Sequence, residues 1–289
     1  MKLFKILFFL GFCVTQSVSV YADQPVMNEA PRWAGGYGFQ FRHEYRESDT
    51  LIYKDDEINN PLGKTRRVNT TWLEGVYTWD RSKRITVKIP YVDKMRVTEV
   101  GGSAVKQNDR GLGDIIIATP LRKYTNHKDW TNNFSFTPQI RVPSGKTSGD
   151  YPIGDGSVDA GISLSYGAES PRYLVGIDFF YWMNNEGTRS QHEGDLAGLD
   201  ITLGKNIYHN GAKSAGASLQ LDFGVRYKDE GYTISGNSAG TRVMVGPALV
   251  YFQGPMIARA VYTIPVYQYA LDETVSYGHQ LDVGIGWSF

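Results

Sequence analysis

Charged residues recur at every second position in many stretches of this chain, each between apolar neighbours. They are Arg42, Glu44, Arg46, Glu74, Lys88, Asp114, Arg122, Arg141, Asp159, Asp178, Asp200, Asp222, Arg226, Lys228, Arg242, Arg259 and Asp282. A period of two puts them on one face of extended strands, with apolar side chains on the other face. Two chemistries fit such a face. One is a wet, ion-paired interior. The other is a path lined by opposed acidic and basic ladders. Trp72, Phe180 and Trp182 interrupt the charged face; they read as filler or as a stacking surface for an apolar or aromatic solute.

Motifs for catalysis and metal binding do not assemble. Ser144-Gly145-Lys146-Thr147 looks like the end of a phosphate loop, but Ile140 stands where that loop needs its first glycine. The histidines (His43, His127, His192, His209, His279) show no metal-ligand spacing. Gly154-Asp155-Gly156-Ser157-Val158-Asp159 hints at calcium, although acidic, glycine-rich loop tips are common. No serine and histidine pair is placed as a lipid hydrolase at a strand rim requires. The sequence therefore implies no catalytic residues, no metal and no cofactor, and the chain reads as a non-enzyme.

These residues need strands to hold them. Trp33, Tyr37, Phe39 and Phe41 oppose Gln40, Arg42 and Glu44; Ile85, Val87 and Ile89 oppose Thr86 and Lys88; Leu219, Leu221 and Phe223 oppose Gln220 and Asp222. Twelve such segments follow one another, the last running to Phe289. Short connections (Asp80–Lys83, Thr125–Asp129, Gly167–Pro171, His209–Ser214, Gln253–Pro255) alternate with longer ones (Ser48–Thr65, Thr98–Arg110, Ser144–Asp155, Asn184–Gly194, Asp229–Gly240, Ala270–Ser276). An even strand count with tight turns at one end and long loops at the other is the pattern of a bacterial outer-membrane barrel.

The start of the chain agrees with export. Lys2 and Lys5 precede an apolar stretch from Ile6 to Val14, and Val20-Tyr21-Ala22 carries small residues at the positions a signal peptidase reads. Cleavage after Ala22 removes 22 of 289 residues and leaves 267. Cys13, the single cysteine, leaves with the signal. Removing Lys2 and Lys5 from 30 basic residues leaves 28 against 30 acidic. That balance offers no basic stripe for nucleic acid. The expected organisation is residues 1–22 as signal peptide, 23–31 as a periplasmic segment and 32–289 as one barrel.

A soluble barrel would bury the apolar face and expose the charged one. Two features argue for the reverse. Aromatic residues gather at strand ends: Trp33, Trp79, Tyr124, Trp130, Tyr166, Tyr173, Tyr208, Tyr251, Trp287 and Phe289 at the short-turn end, and Tyr45, Tyr91, Tyr181, Tyr227 and Tyr277 at the other. Two girdles are what two membrane interfaces select. The segments also run about 10 to 14 residues, which suits the about 9–11 of a tilted membrane strand better than the about 5–6 of a soluble one. The fold expected is all-β: a transmembrane antiparallel up-and-down barrel of about 12 strands. Its last strand must pair with its first, because an open edge in lipid leaves backbone groups unsatisfied. The ending Trp287-Ser288-Phe289 is also similar to the terminal signal that barrels present to their assembly machinery.

Three further stretches carry a family likeness. Arg84–Val92 is a strand with a late proline. Gly111-Leu112-Gly113-Asp114 opens Ile115–Ile117 and leads to Lys123-Tyr124. Gln139–Gly145 leads to Gly154-Asp155-Gly156-Ser157-Val158-Asp159. Together they resemble the outer-membrane transporter family of the meta-pathway of phenol degradation. The resemblance implies a barrel that passes small, often aromatic or hydrophobic compounds in a Gram-negative outer membrane.

The expectation is therefore a porin-like channel for small solutes, with a plugged structural or lipid-hydrolysing barrel as the alternative. Its pore-lining candidates are the inward residues named above: Arg42, Glu44, Trp72, Glu74, Lys88, Asp114, Arg122, Arg141, Asp159, Asp178, Phe180, Trp182, Asp200, Asp222, Arg226, Arg242, Arg259 and Asp282. Expected partners are outer-membrane lipid, the barrel-assembly machinery through the C-terminal strand, and a small-molecule solute; no nucleic acid is expected.

Overall fold

The computed structural model describes residues 34–188, 191–231 and 239–289. The signal peptide, the segment 23–31 and Trp33 lie outside the described residues. Twelve antiparallel strands follow in chain order: β1 (Tyr37–Ser48), β2 (Thr65–Asp80), β3 (Lys83–Val100), β4 (in three pieces, Ser103–Leu112, Ile115–Ala118 and Leu121–Asn126), β5 (Thr131–Val142), β6 (Asp159–Glu169), β7 (Tyr173–Met183), β8 (Leu196–Asn210), β9 (Ala215–Lys228), β10 (Gly240–Gln253), β11 (Met256–Val275) and β12 (His279–Ser288). Each pairs with its sequence neighbours. β1 also pairs with β12, from Gly38↔Ser288 to Glu47↔His279, which closes the barrel.

The seam is tied to its last residue. Phe289 N donates to Tyr37 O at 2.7 Å, Tyr37 N donates to Phe289 O at 2.9 Å, and the two rings stack 5.5 Å apart. Closure satisfies every strand's backbone laterally, which lipid demands. Prolines interrupt this scheme locally. Pro90 donates nothing to the ladder, but its carbonyl accepts from Gly113 N; Pro120 O accepts from Arg84 N and Pro138 O from Thr119 N. The breaks in β4 at Gly113-Asp114 and Thr119-Pro120 are thus bridged.

Strand alternation sets the two faces. In β1 the burial runs exposed, buried, exposed throughout: Phe39, Phe41 and Tyr45 face out, while Gln40, Arg42, Glu44 and Arg46 are buried. Ile162, Leu164, Ile177, Phe179, Leu221 and Leu249 form part of the same exposed apolar exterior. A water-soluble barrel would not leave such a belt exposed; lipid covers it without cost. No described helix is long and apolar enough to cross a membrane, and the strands do the crossing.

Two expectations about the wall change. The connection Thr98–Arg110 is no open loop: β3 and the first part of β4 continue as a hairpin turning at Gly101 and Gly102, both at positive φ. The girdle loses two members to the interior. Tyr124 shares the inner parity of Arg122 and accepts a bond from Arg84. Tyr277 lies against Arg46 and Arg242, with its ring centre 3.8 and 3.6 Å from their guanidinium carbons. Gly278, at φ +67, resets the alternation just before β12 and turns Tyr277 inward. A small hairpin, Leu51–Lys54 with Asp56–Ile58, lies in the β1–β2 connection and pairs with the end of β11.

Candidate functional site

The inner face begins with residues that neutralise one another. Arg42 bonds Asp282 at 2.6 Å and Glu74 at 3.2 Å, and pairs with Glu44. Gln40 and Glu74 are bonded as well. Arg226 forks onto Asp200 at 2.6 and 3.0 Å. Arg259 pairs with Asp222, which also accepts from Thr202 at 2.8 Å. Arg141 meets Asp159 at 3.0 Å. Asp178 accepts from Ser163 at 2.9 Å and Ser165 at 2.7 Å. The acidic and basic residues face each other as ladders, and most rungs are closed.

The aromatic residues form a second layer. Trp72, Ile116, Trp182 and Leu196 make one buried apolar cluster, with Phe180 against it. It crosses the lumen from β2 and β4 to β7 and β8. Arg42 lies over Trp72, Arg141 over Trp182 and Arg226 over Phe180. Glycines make room for the rings: a Cβ on Gly198 would come within 2.2 Å of Phe180, and one on Gly161 within 2.8 Å of Trp182.

Above this layer, at the long-loop end, lies a cavity of about 450 Å³. The connection between β5 and β6 folds into its mouth. Tyr151 is only 4% exposed, and Asp155 and Ser157 are buried. Three polar anchors hold the loop. Asp114 Oδ1 accepts from Gly145 N at 2.7 Å, Lys94 Nζ donates to Pro152 O at 2.5 Å, and Thr188 N donates to Asp155 O at 2.7 Å. Gly145 and Gly154 flank Asp114 so closely that a Cβ on either would sit within 2.9 Å of its carboxylate. Two of the stretches that carried the family likeness, Gly111–Ile117 and Gln139–Asp159, therefore meet here in the anchored loop, and Pro90 of the third accepts from Gly113 N beside it.

Of the predicted residues, Trp72, Asp114, Arg141, Arg226 and Arg242 line this cavity. Asp200, Asp222, Arg259 and Asp282 line a smaller one of about 80 Å³ at mid-barrel, shared with Arg226 and Arg242. Arg42, Glu44, Glu74, Lys88, Arg122, Asp159, Asp178, Phe180 and Trp182 line neither. The sequence reading missed Arg66, Lys94, Arg96 and Tyr151, which do line the larger cavity. The parity of Trp72 and Lys88, carried outward past the membrane, places the three cations inside. Nothing periodic announces Tyr151. Burial pushes the Tyr151 phenol up, but the nearby charges of Arg66, Lys94 and Arg96 outweigh it and hold the group below its ordinary range. Burial, then the charge of Glu193, raises the Asp155 carboxyl above its ordinary range, against the bonds from Ser157.

The family description "Putative MetA-pathway of phenol degradation" matches residues 58–283. The chain belongs to this family. Among solved structures, an outer-membrane channel from Pseudomonas putida F1 superposes with a TM-score of 0.71 at 13% identity, over 93% of this chain and 100% of that one. The β domain of a Bordetella autotransporter fits more loosely, with a TM-score of 0.46 at 12% identity over 88% of this chain and 100% of its own. The first similarity shows a shared fold, an outer-membrane barrel. No curated protein matches. Within the family match lie both cavities' β2–β11 walls and the anchored loop.

Proposed function

We propose that this chain is an outer-membrane channel for small solutes, aromatic or hydrophobic compounds among them. The observation that carries this reading is the cavity of about 450 Å³ inside the lumen at the long-loop end, with apolar Val68, Trp72 and Ile116 beside charged groups on its wall. Such a mixed pocket suits a small ligand with one polar end. Family membership and the channel fold found in Pseudomonas putida support it. Outer-membrane lipid covers the exterior in this reading, and the C-terminal strand is what the assembly machinery would engage.

A second reading is a barrel blocked at rest. Gln40, Thr78, Arg84 and Ser135, on the inner face below the cavity, are at most 1% exposed. Single-channel recording of the refolded mature chain in planar bilayers, with and without a small aromatic acid, separates the two. Discrete openings that the solute interrupts are expected. A correctly folded but silent barrel would overturn the channel reading in favour of the blocked one.

A further inference from the structure

The mouth of the large cavity holds more positive charge than the fold needs. Arg66 on β2 and Arg96 on β3 are direct partners across the two strands, and both point inward. Lys94 stands two residues along on the same face. Like charges set opposite one another on paired strands destabilise a sheet. Carboxylates neutralise several of the barrel's other inward cations, but among the described residues none bonds these three. Lys94 donates to a backbone carbonyl, Arg96 to Gln107 and a backbone carbonyl, and Arg66 Nε is buried without an acceptor among the described residues. Along the described cavity wall eight basic residues face five acidic ones, so the excess is local and inward.

An aromatic surface lies beside the excess. The Tyr151 ring sits 4.2 Å from Lys94 Nζ and 4.4 Å from the Arg96 guanidinium carbon. Trp72, deeper in the same cavity, has a buried indole N–H that also lacks an acceptor among the described residues. Unmatched donors, unmatched positive charge and ring faces in one pocket define a complementary ligand: an acceptor-rich anion carrying a flat ring.

We infer that Arg66, Lys94 and Arg96 form a binding site for a small aromatic carboxylate at the entrance of the lumen. The guanidiniums take the carboxylate, and the ring packs against Tyr151 and the apolar wall. This deepens the channel reading by naming its solute, and it rests on that reading for the solute's onward passage.

Benzoate is the probe, titrated calorimetrically into the refolded full barrel in detergent. Benzyl alcohol keeps the ring without the charge, and acetate keeps the charge without the ring. Benzoate is expected to bind at least about tenfold more tightly than either. The Arg66→Gln/Arg96→Gln double variant should lose about tenfold in benzoate affinity, while Arg66→Lys/Arg96→Lys keeps most of it. Removing opposed like charges should leave the barrel folded, checked by its heat-modifiable mobility. If the glutamine variant fails to fold, the lysine variant and the two comparison ligands still decide. Equal binding of benzyl alcohol, or benzoate binding unchanged by loss of both arginines, overturns the site. Conductance without benzoate binding overturns the site and leaves the channel standing. Benzoate binding to a silent barrel does the reverse.

Discussion

Arg42 shows how a single residue holds the lumen together. Its side chain is about 1% exposed and touches three carboxylates, Glu44, Glu74 and Asp282, from three adjacent strands. Two of those strands form the closing seam. Deleting one partner of a buried ionic group leaves uncompensated charge, at a cost of about 3–5 kcal/mol. Arg42→Met should therefore weaken the barrel by that order, measured by urea unfolding in lipid vesicles. The acids are too many for one proton to settle, so Glu74→Gln in the same background should recover only part of the loss. An Arg42→Met barrel as stable as the parent would mean that water, not arginine, solvates these carboxylates.

At the scale of elements, the loop between β5 and β6 is the least regular part and the most informative. Gly145 and Gly154 are small because Asp114 occupies the space between them. Asp155 is buried beside Glu193, and burial favours its neutral form. A carboxyl whose folded pKa is raised contributes stability that is present below its unfolded pKa and lost as pH rises through the folded one. The loop should thus sit more firmly in acid than at neutral pH. Tryptic cleavage after Lys146, scaled at each pH to an Asp155→Asn variant, should accelerate as pH rises above the ordinary carboxylate range. A constant ratio would show that Asp155 is already charged when the loop is docked. The strands were legible from alternation alone, because one face must meet lipid and the other must not. The loop was not: its residues follow no period, and its docking depends on contacts with Asp114 and Thr188, distant in sequence. Arg66, Lys94 and Arg96 fall between these cases. Their parity was readable, but only if the strands were known to outrun the membrane. Tyr277 escaped because one glycine at positive φ reversed its face.

The whole molecule is close to neutral in charge yet polarised along its axis. Closed ion pairs and an aromatic layer lie in the lower and middle lumen, and three cations without a carboxylate contact among the described residues, Arg66, Lys94 and Arg96, gather at the long-loop mouth. In the proposed channel, an ion entering there would meet a positive field before it meets any ladder. Arg226 joins the two regions, since it lines both cavities and is held by Asp200. Asp200→Asn would remove a carboxylate that forks onto that guanidinium and raise the positive charge beside the path. The reversal potential in a potassium chloride gradient should then shift towards chloride relative to the parent. The shift should be largest in dilute salt, where the screening length is about 30 Å at 0.01 M, and nearly vanish near 1 M, where it is about 3 Å. An unchanged potential at low salt would place the Asp200–Arg226 pair in the wall and away from the ions, and would confine selectivity to the mouth.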